Sequence, residues 1–370
     1  MRYDKDARIV MTLDAGGTNL VFSAVQGNRE IIAPIILPSH GDNLEACLAN
    51  IVEGFSKISS LLKDLPVAIS FAFPGPGDYP RGIIGDLNNL TGFRGGVALG
   101  PILEEKFGLP VFINNDGDLF AYGEAMAGFL PHVNALFEQA GSSKRYKNLL
   151  GVTLGTGFGA GIVSNGRLLL GDNSSGAEIW PLRNKLDRNW GVEESVSIRG
   201  VMRAYAESAG IALPECPEPK EIYEIAQGRR QGNQGAALGA FRRMGEIAGD
   251  AIANTITMID GLVVIGGGLA GAAELFLPAL IEEMDGTLEL PGGATVPRMP
   301  MRAFNLEDKR QLGLFIRGDV RIIAVLGTER TMTYDCMMRI GIGLSKLGTS
   351  RAVGVGAYAF ALQALDGHWN

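Results

Sequence analysis

The chain of 370 residues has only three cysteines, three histidines and three tryptophans. Cys47, Cys216 and Cys336 stand far apart in sequence, so neither a local disulfide framework nor a C-x-x-C metal pair can be read. A reducing cytoplasm fits that usage. Dense basic runs are also missing: the net charge is −7, and the strongest cationic cluster is the short Lys144-Arg145-Tyr146-Lys147. That leaves no electrostatic footprint for nucleic acid. The apolar run Ile9-Val10-Met11 is cut by Asp14 and lacks the core of a signal peptide. The longest later stretch, Ala352 to Leu362, is shorter than the ~18 residues a membrane span needs. These absences argue against a secreted disulfide scaffold, a membrane protein and a nucleic-acid binder, and point to a soluble cytoplasmic chain.

What is abundant is glycine, with 52 residues and no collagen period. The glycines gather at the ends of apolar strands, where backbone can approach a ligand. Hydrophobic content of 46% with 20% charged residues is that of a globular protein, and the length suffices for two domains.

One stretch organises the rest. Val111-Phe112-Ile113 runs directly into Asn114-Asn115-Asp116-Gly117-Asp118, a cluster of amides and carboxylates at a strand end. In open α/β sheets such ends face the crevice where ligands bind. A carboxylate there can accept the proton of a substrate hydroxyl while neighbouring amides orient the substrate, which makes Asp116 the candidate general base. A turn and helix N-cap before Leu119 to Ala125 fits the same residues.

Two further turns offer phosphate sites. Ala7 to Leu13 reads as a strand that meets Asp14-Ala15-Gly16-Gly17-Thr18-Asn19 before a second strand, Leu20 to Val25. The tip of that hairpin presents backbone N–H groups and a hydroxyl, and Asp14 could hold a hydrated magnesium ion; a plain hairpin turn is the alternative. The pattern returns in Leu149 to Leu154, followed by Gly155-Thr156-Gly157-Phe158-Gly159-Ala160-Gly161 and a hairpin turn at Asn165-Gly166. Glycines at every second position leave one face of that strand bare, open to a ligand's approach. Two such hairpins suggest a duplicated fold with a ligand between the halves.

Other segments fill in the order of elements. Arg29 to Leu37 and Val67 to Phe73 read as strands, the latter ending in the rigid turn Pro74-Gly75-Pro76-Gly77-Asp78. Helical spacing marks Leu44 to Leu62, Gly100 to Phe107, Glu193 to Ala206, Gln234 to Met258 and Arg351 to Leu365. Asn88-Asn89 suits a polyhydroxylated ligand, and Glu178 is a carboxylate in a glycine-rich loop; solvated loops are the alternative for both. Leu262 to Ile265 is a buried strand that opens into Gly266-Gly267-Gly268-Leu269-Ala270-Gly271 and a helix, Ala272 to Glu283. Those glycines satisfy G-x-G-x-x-G, so a dinucleotide-dependent oxidoreductase is a rival reading, but only Glu289 is offered as the required acidic partner. Pro291 to Pro300 reads as a loop, and Val320 to Leu326 and Met332 to Met338 as strand-like pieces without assigned chemistry.

Taken together, the motifs resemble the ROK family (repressors, open reading frames and kinases) of the sugar-kinase and actin-like ATPase superfamily. The likeness runs from about Ile9 to Phe276 and returns near Val353 to Leu362. Asp14 to Asn19 looks like the family's first phosphate loop, with Asn19 where Lys is commoner, and Leu154 to Gly161 like its second. Pro74-Gly75-Pro76 and Asn89 to Phe93 look like sugar-side loops, Asn115-Asp116 like the catalytic pair, and Gly266 to Gly268 like the adenosine loop. Two departures stand out. The family usually follows Gly-x-x-Gly-x-Glu with a His that binds zinc and sugar, then a Cys cluster; here Trp180 stands at that place and Leu186 to Val192 has no cysteine. Met301 to Ser350 is longer than the family's usual end.

The resemblance implies two RNase H-like α/β domains with a ligand cleft between them. The expected division is 1–118, completed by the C-terminal helix 351–370, and 119–350. It implies an ATP-dependent kinase of a hexose or hexose derivative, with Asp116 as base and Asn89, Asn115, Glu178 and Glu193 as sugar ligands. Asp14, Gly16, Gly17, Thr18, Asn19, Gly155, Thr156, Gly157, Gly266, Gly267 and Gly268 would serve ATP and Mg2+. No zinc is expected; the loop near Trp180 would instead be held by packing of Trp180 and Trp190 with Leu182 and Leu186. A homodimer is suggested by resemblance alone. The other class to weigh is a sugar-sensing or regulatory protein that kept the fold and lost turnover, without a DNA-binding domain, since Asp14 lies near the start.

Overall fold

Apolar side chains on both faces make Val10–Ala15 (β1) the central strand of a sheet, and this sheet carries the first half of the chain. The computed structural model describes residues 3–16, 18–86 and 91–367. Asn19–Gln26 (β2) returns antiparallel to β1, with Asp14 opposite Val21, and is itself flanked by Arg29–Glu30 and Ile35–Pro38 (β3). On the other side Ala68–Ala72 (β4) and Val111–Asn114 (β5) continue the sheet in parallel. The expected third strand over Arg29 to Leu37 is thus two short pieces.

Leu44–Leu61 (α1) and Leu99–Phe107 (α2) cover one sheet face, over a core that includes Phe22, Phe55, Phe71, Phe73 and Phe93. The other face buries Val10, Val25 and Ala68 against Tyr358, Ala361 and Leu362 of the C-terminal helix Thr349–Leu365.

Asp116–Met126 (α3) lies against that C-terminal helix at backbone distance. A methyl group on Gly123 would fall on the Ala352 carbonyl, and one on Gly356 on the Leu119 carbonyl. Tyr122 donates its hydroxyl to Gln363, and the buried carboxylate of Glu124 accepts from the Phe129 N–H, the Ser345 hydroxyl and the Leu347 N–H. These contacts explain why one compact unit consists of Met1–His132, Ala160–Ala177 and Ser345–Asn370. The boundary read from sequence at residue 118 falls inside α3, which the helix pairing holds whole.

The second unit comprises Val133–Gly159 and Glu178–Leu344. Phe129–Gln139 (α4) carries the chain into it, and Asn148–Leu154 (β6) leads through Gly155–Gly157 into Phe158–Ser164 (β7). Ile198–Ala209 (α5), Pro219–Ala226 (α6) and Gln234–Ile259 (α7) follow. The helix expected from Glu193 begins only at Ile198, because Ser197 serves as its N-cap, its Oγ accepting from the Gly200 N–H. Leu262–Gly266 (β8) pairs in parallel with β6, and Ala273–Met284 (α8) comes next.

The stretch after residue 291 is more ordered than expected. Thr295–Pro297 pairs with Thr287–Glu289 where a loop was read. Arg302–Asn305 (β9), Lys309–Arg317 (α9), Val320–Ala324 (β10), Thr331–Asp335 (β11) and Arg339–Leu344 (β12) follow. Strand β12 lies between β8 and β9, all parallel, so much of Met301 to Ser350 builds the sheet. Only the antiparallel hairpin β10–β11 stands off it.

The two glycine contacts between α3 and the C-terminal helix generate a matched test. Gly356→Ala should destabilise by roughly 3 kcal/mol, as overpacking against backbone does. Gly354→Ala, on the same helix with open space around it, should be neutral or stabilising by up to about 1 kcal/mol. Denaturant midpoints at constant slope measure both; equal effects would remove the close approach as the cause.

Candidate active site

Register sets the geometry of the first unit. Asp14 lies beside Ala72, and Ala72 beside Asn114, so the three occupy one row across adjacent strands. Adjacent strands are about 4.8 Å apart, which puts Asp14 and Asn114 roughly 10 Å apart on the same sheet face. Asn115 then caps α3, its Oδ1 accepting from the Gly117 N–H at 2.7 Å, and the same N–H reaches Asp116 Oδ1 at 2.9 Å. The N-cap reading and the polar-cluster reading of this stretch therefore coexist. Its tight entry depends on bare backbone: a Cβ on Gly117 would strike Ala160, and one on Gly161 would strike the Gly117 carbonyl.

Asp116 is open to solvent at the start of α3, yet protein packed around its carboxyl penalises the charged form and raises its pKa. The Gly117 N–H and its own N–H offset part of that rise. Asp14 is raised as well, first by burial and then by the negative charge of Asp116. A water-accessible acid held partly against ionisation is the form a general base takes.

Near Asp14, the Gly16 N–H donates to the Asn19 carbonyl at 2.9 Å, closing the β1–β2 turn, and Gly16, Thr18 and Asn19 are exposed at its tip. Gly17 and Asn89 lie outside the described residues.

The second unit carries the other glycine turn. The Gly155 N–H donates to the Gly157 carbonyl at 3.0 Å, and the exposed Thr156 forms the tip. Glu193 supports this turn directly: its carboxylate accepts from the Phe158 N–H at 2.9 Å and pairs with Arg199 at 2.8 Å. Arg199 also donates to the Thr156 carbonyl at 3.3 Å, and Glu194 followed by Glu193 pushes its pKa up. The alternating glycines are thus less bare than expected. Gly157 faces Glu193 and Gly161 faces α3, so protein rather than open space meets those two.

Gly266 ends β8, and Gly267 has φ of +89° with the Leu154 carbonyl where a side chain would be, a position only glycine fills easily. Beside Gly268 opens a cavity of about 650 Å3, with Tyr223, Arg229, Phe241 and Leu269 among its walls. The Arg229 guanidinium lies 5.3 Å from the centre of the Tyr223 ring. That combination suits a flat aromatic ligand.

The loop after Glu178, itself exposed, is held differently from the sequence expectation. Trp180 and Leu186 are 48% and 49% exposed, so they form no packed cluster. A buried amide does the holding: Asn184 Oδ1 accepts from the Leu186 N–H at 2.9 Å, and its Nδ2 donates to Ser195 Oγ at 2.8 Å. Trp190 instead lies under the Arg203 guanidinium at 4.8 Å. Trp180 stands where the resemblance would put a zinc-binding His, and an indole N–H cannot ligate metal; Pro181 to Val192 offers no Cys or His. Among the described residues no group of three or more His, Cys, Asp or Glu side chains is placed to hold a metal.

Sequence reasoning missed Asn184, Arg199 and the full weight of Asn114. Asn114 is 1% exposed and neither atom of its amide has a hydrogen-bond partner among the described residues. Strand alternation could have flagged it, since a second amide before Asn115 must point to the face shared with Phe112.

Two α/β units, each opening with strand, glycine turn and strand, define the actin-like ATPase fold. The same fold appears in the ROK hexokinase of Thermus thermophilus, at TM-score 0.68 and 21% identity over 97% of this chain and 99% of that one. The ROK family pattern matches residues 10–291, and the chain belongs to that family. It is 56% identical to the crystal structure of a glucokinase from Parabacteroides distasonis, covering 98% of this chain and 99% of that one at TM-score 0.90. An N-acetyl-D-glucosamine kinase of Vibrio parahaemolyticus is 27% identical over 268 residues, 70% of this chain and 83% of that protein.

Asn184 generates the test of this region. Asn184→Ala removes three hydrogen bonds from a buried amide and leaves half-buried partners unpaired, so it should cost about 1 to 3 kcal/mol in denaturant unfolding. Trp180→Ala should cost far less; the reverse order would restore the aromatic-packing account.

Proposed function

We propose that this chain, a sugar kinase by family, transfers the γ-phosphoryl group of MgATP to a hydroxyl of a hexose of glucose type, with Asp116 as general base. The observation that carries the reading is the Asp14–Asp116 pair, two carboxyls with raised pKa at the ends of parallel strands beside a glycine turn. The glucokinase and N-acetylglucosamine kinase relatives support the substrate class.

In the step proposed, Asp116 takes the proton of the sugar hydroxyl as that oxygen bonds to the γ-phosphorus. The bond from phosphorus to the bridging β,γ-oxygen breaks, and ADP leaves with those electrons. Most of the acceleration in such a transfer comes from positioning and charge stabilisation. Asp14 would hold magnesium, which would supply positive charge to the phosphates. N–H groups and hydroxyls of Gly16, Gly17, Thr18 and Asn19, and of Gly155, Thr156 and Gly157, hold phosphates. Asn89, Asn115 and Glu178 orient the sugar. Glu193 is assigned there by resemblance, and its bonds to Phe158 and Arg199 give it a second duty at the phosphate turn. Gly266 to Gly268 and the Tyr223–Arg229 cavity take the adenosine.

Asp116→Asn should lower kcat by about 10²- to 10⁴-fold while sugar affinity stays near wild type. Because the base must be ionised, kcat/KM of the wild type should fall as pH drops through the raised Asp116 pKa, above the ~3.9 of an ordinary aspartate. The same shift makes ionised Asp116 oppose folding. Its contribution to stability is present in acid and lost as pH rises through the folded-state pKa, so the Asn variant should melt higher than wild type at neutral pH and level with it in acid. A variant that keeps wild-type turnover would rule out Asp116 as the base.

The deciding experiment is ADP release with glucose, N-acetylglucosamine, mannose and fructose, magnesium being the sole added divalent ion. The expected outcome is turnover, greatest with glucose, by protein carrying only trace zinc on elemental analysis. Sugar binding without ADP release would favour a sensor, and stoichiometric zinc would overturn the metal assignment.

A further inference from the structure

Strand β5 is the last of the first unit's sheet, and among the described residues no strand pairs with its outer edge. Along that edge lies a cavity of about 360 Å3, walled by Tyr79, Phe112, Leu170 and Phe360 and by Ile113 and Asn114 of the strand itself. All of them belong to the first unit. Phe112 and Phe360 meet edge to face, with ring centres 6.2 Å apart. The Tyr79 hydroxyl is spent on the Phe73 carbonyl at 2.9 Å, so Tyr79 offers its ring. Among the described residues no charged side chain lines the space.

Two polar groups interrupt this apolar lining. The first follows from register. The Ile69 N–H donates to the Pro110 carbonyl and the Phe73 N–H to the Asn114 carbonyl, so the even-numbered residues of this stretch turn their backbone groups toward β4. Val111 and Ile113 therefore turn theirs to the open edge. Glu104 takes the Val111 N–H at 3.3 Å. Among the described residues the Ile113 N–H and C=O are left as one donor and one acceptor side by side. The second is the Asn114 amide, buried and without a partner among the described residues. A buried amide left unbonded is costly, and its terminal torsion is soft, so it can turn an edge to an occupant of the cavity.

We propose that this cavity is a binding site for a neutral, flat ring molecule that carries a lactam edge. A lactam presents one N–H and one C=O on the same side, the complement of the Ile113 pair, and Asn114 can take a further carbonyl or N–H of the ring. The faces of such a ring pack against Phe112, Phe360 and Tyr79. Other occupants suit the walls less. A nucleotide or a sugar phosphate would find no cation among them, and a free sugar would have most of its hydroxyls left unpaired. An extended peptide needs a row of open backbone groups, which Glu104 has shortened to one residue. The volume is at the small end for ligand sites and accommodates two fused rings.

The test is binding of isocarbostyril, a two-ring lactam, to the full chain by ligand-observed NMR without sugar or ATP, so that its outcome is independent of the phosphoryl-transfer reading. Wild type should bind with Kd of about 0.1 to 1 mM, and amide exchange over Val111 to Asn114 should slow on binding. N-methylisocarbostyril, which lacks the N–H donor, should bind about 10-fold more weakly, a readout that needs no variant. Asn114→Leu, close in shape, should weaken binding by about 5- to 10-fold and melt no lower than wild type, because an unpaired buried amide is removed. Ala364→Phe, on the C-terminal wall of the cavity, should abolish binding, whereas Arg229→Ala, in the cavity beside Gly268, should leave it unchanged. The proposal is overturned if wild type shows no binding by about 10 mM, if the N-methyl compound binds as tightly as the lactam, or if affinity survives Ala364→Phe or is lost in Arg229→Ala.

Discussion

The contact on which the candidate catalytic centre depends is made where side chains are missing. Helix α3 begins at Asp116 and meets the C-terminal helix through Gly123 and Gly356, and meets residues 160–161 through Gly117 and Gly161. At each place backbone approaches backbone, so the helix can settle in one position only. Glu124 fixes the far end of the same helix by accepting from four separate groups, the Phe129, Lys346 and Leu347 N–H and the Ser345 hydroxyl. The carboxylate proposed as base thus stands at one end of a rod clamped along its length, which is how precise placement of a reacting group is sustained.

That placement has an electrostatic cost which chemistry turns to use. Burial raises both Asp14 and Asp116, and the charge of Asp116 raises Asp14 further, moving a strand-end carboxyl from an inert anion toward a group that can gain and lose a proton. The second unit solves a different problem with opposite charges. Glu193, Glu194 and Arg199 interlock around the Gly155–Gly157 turn, so that a loop without side chains of its own keeps its shape. One unit gathers two carboxyls at its strand ends; the other uses opposite charges to hold backbone still.

Much of this was legible from residue order. The strand-turn-strand signatures at Asp14 and Gly155, the strand running into Asn115-Asp116 and the Asn165-Gly166 turn are local patterns, and local patterns survive without tertiary context. What could not be read was set by contacts distant in sequence. The first unit gathers three separate segments because Gly356 fits against Leu119, and neither glycine nor leucine announces the other. Asn184 reads as a loop residue until its burial is known, and Trp180 reads as a core residue until its exposure is. Met301 to Ser350 reads only as longer than the family's usual end, because its sheet strands β9 and β12 are separated by helix α9 and a hairpin, so their pairing is not local in sequence.

The order in which the parts of the first unit leave the ribosome follows from its composition. Strands β1 and β4 present Val10 and Ala68 on the face that Tyr358, Ala361 and Leu362 later cover. During synthesis that face must wait for nearly three hundred residues more before its lid exists, and α3 waits with it. The second unit, whose two segments alternate in sequence with the three of the first, has all its own strands earlier than the first unit has its last helix. A nascent chain therefore completes its middle before its beginning, with an apolar sheet face exposed meanwhile. Chaperone demand should concentrate on the oldest part of the chain rather than on the newest.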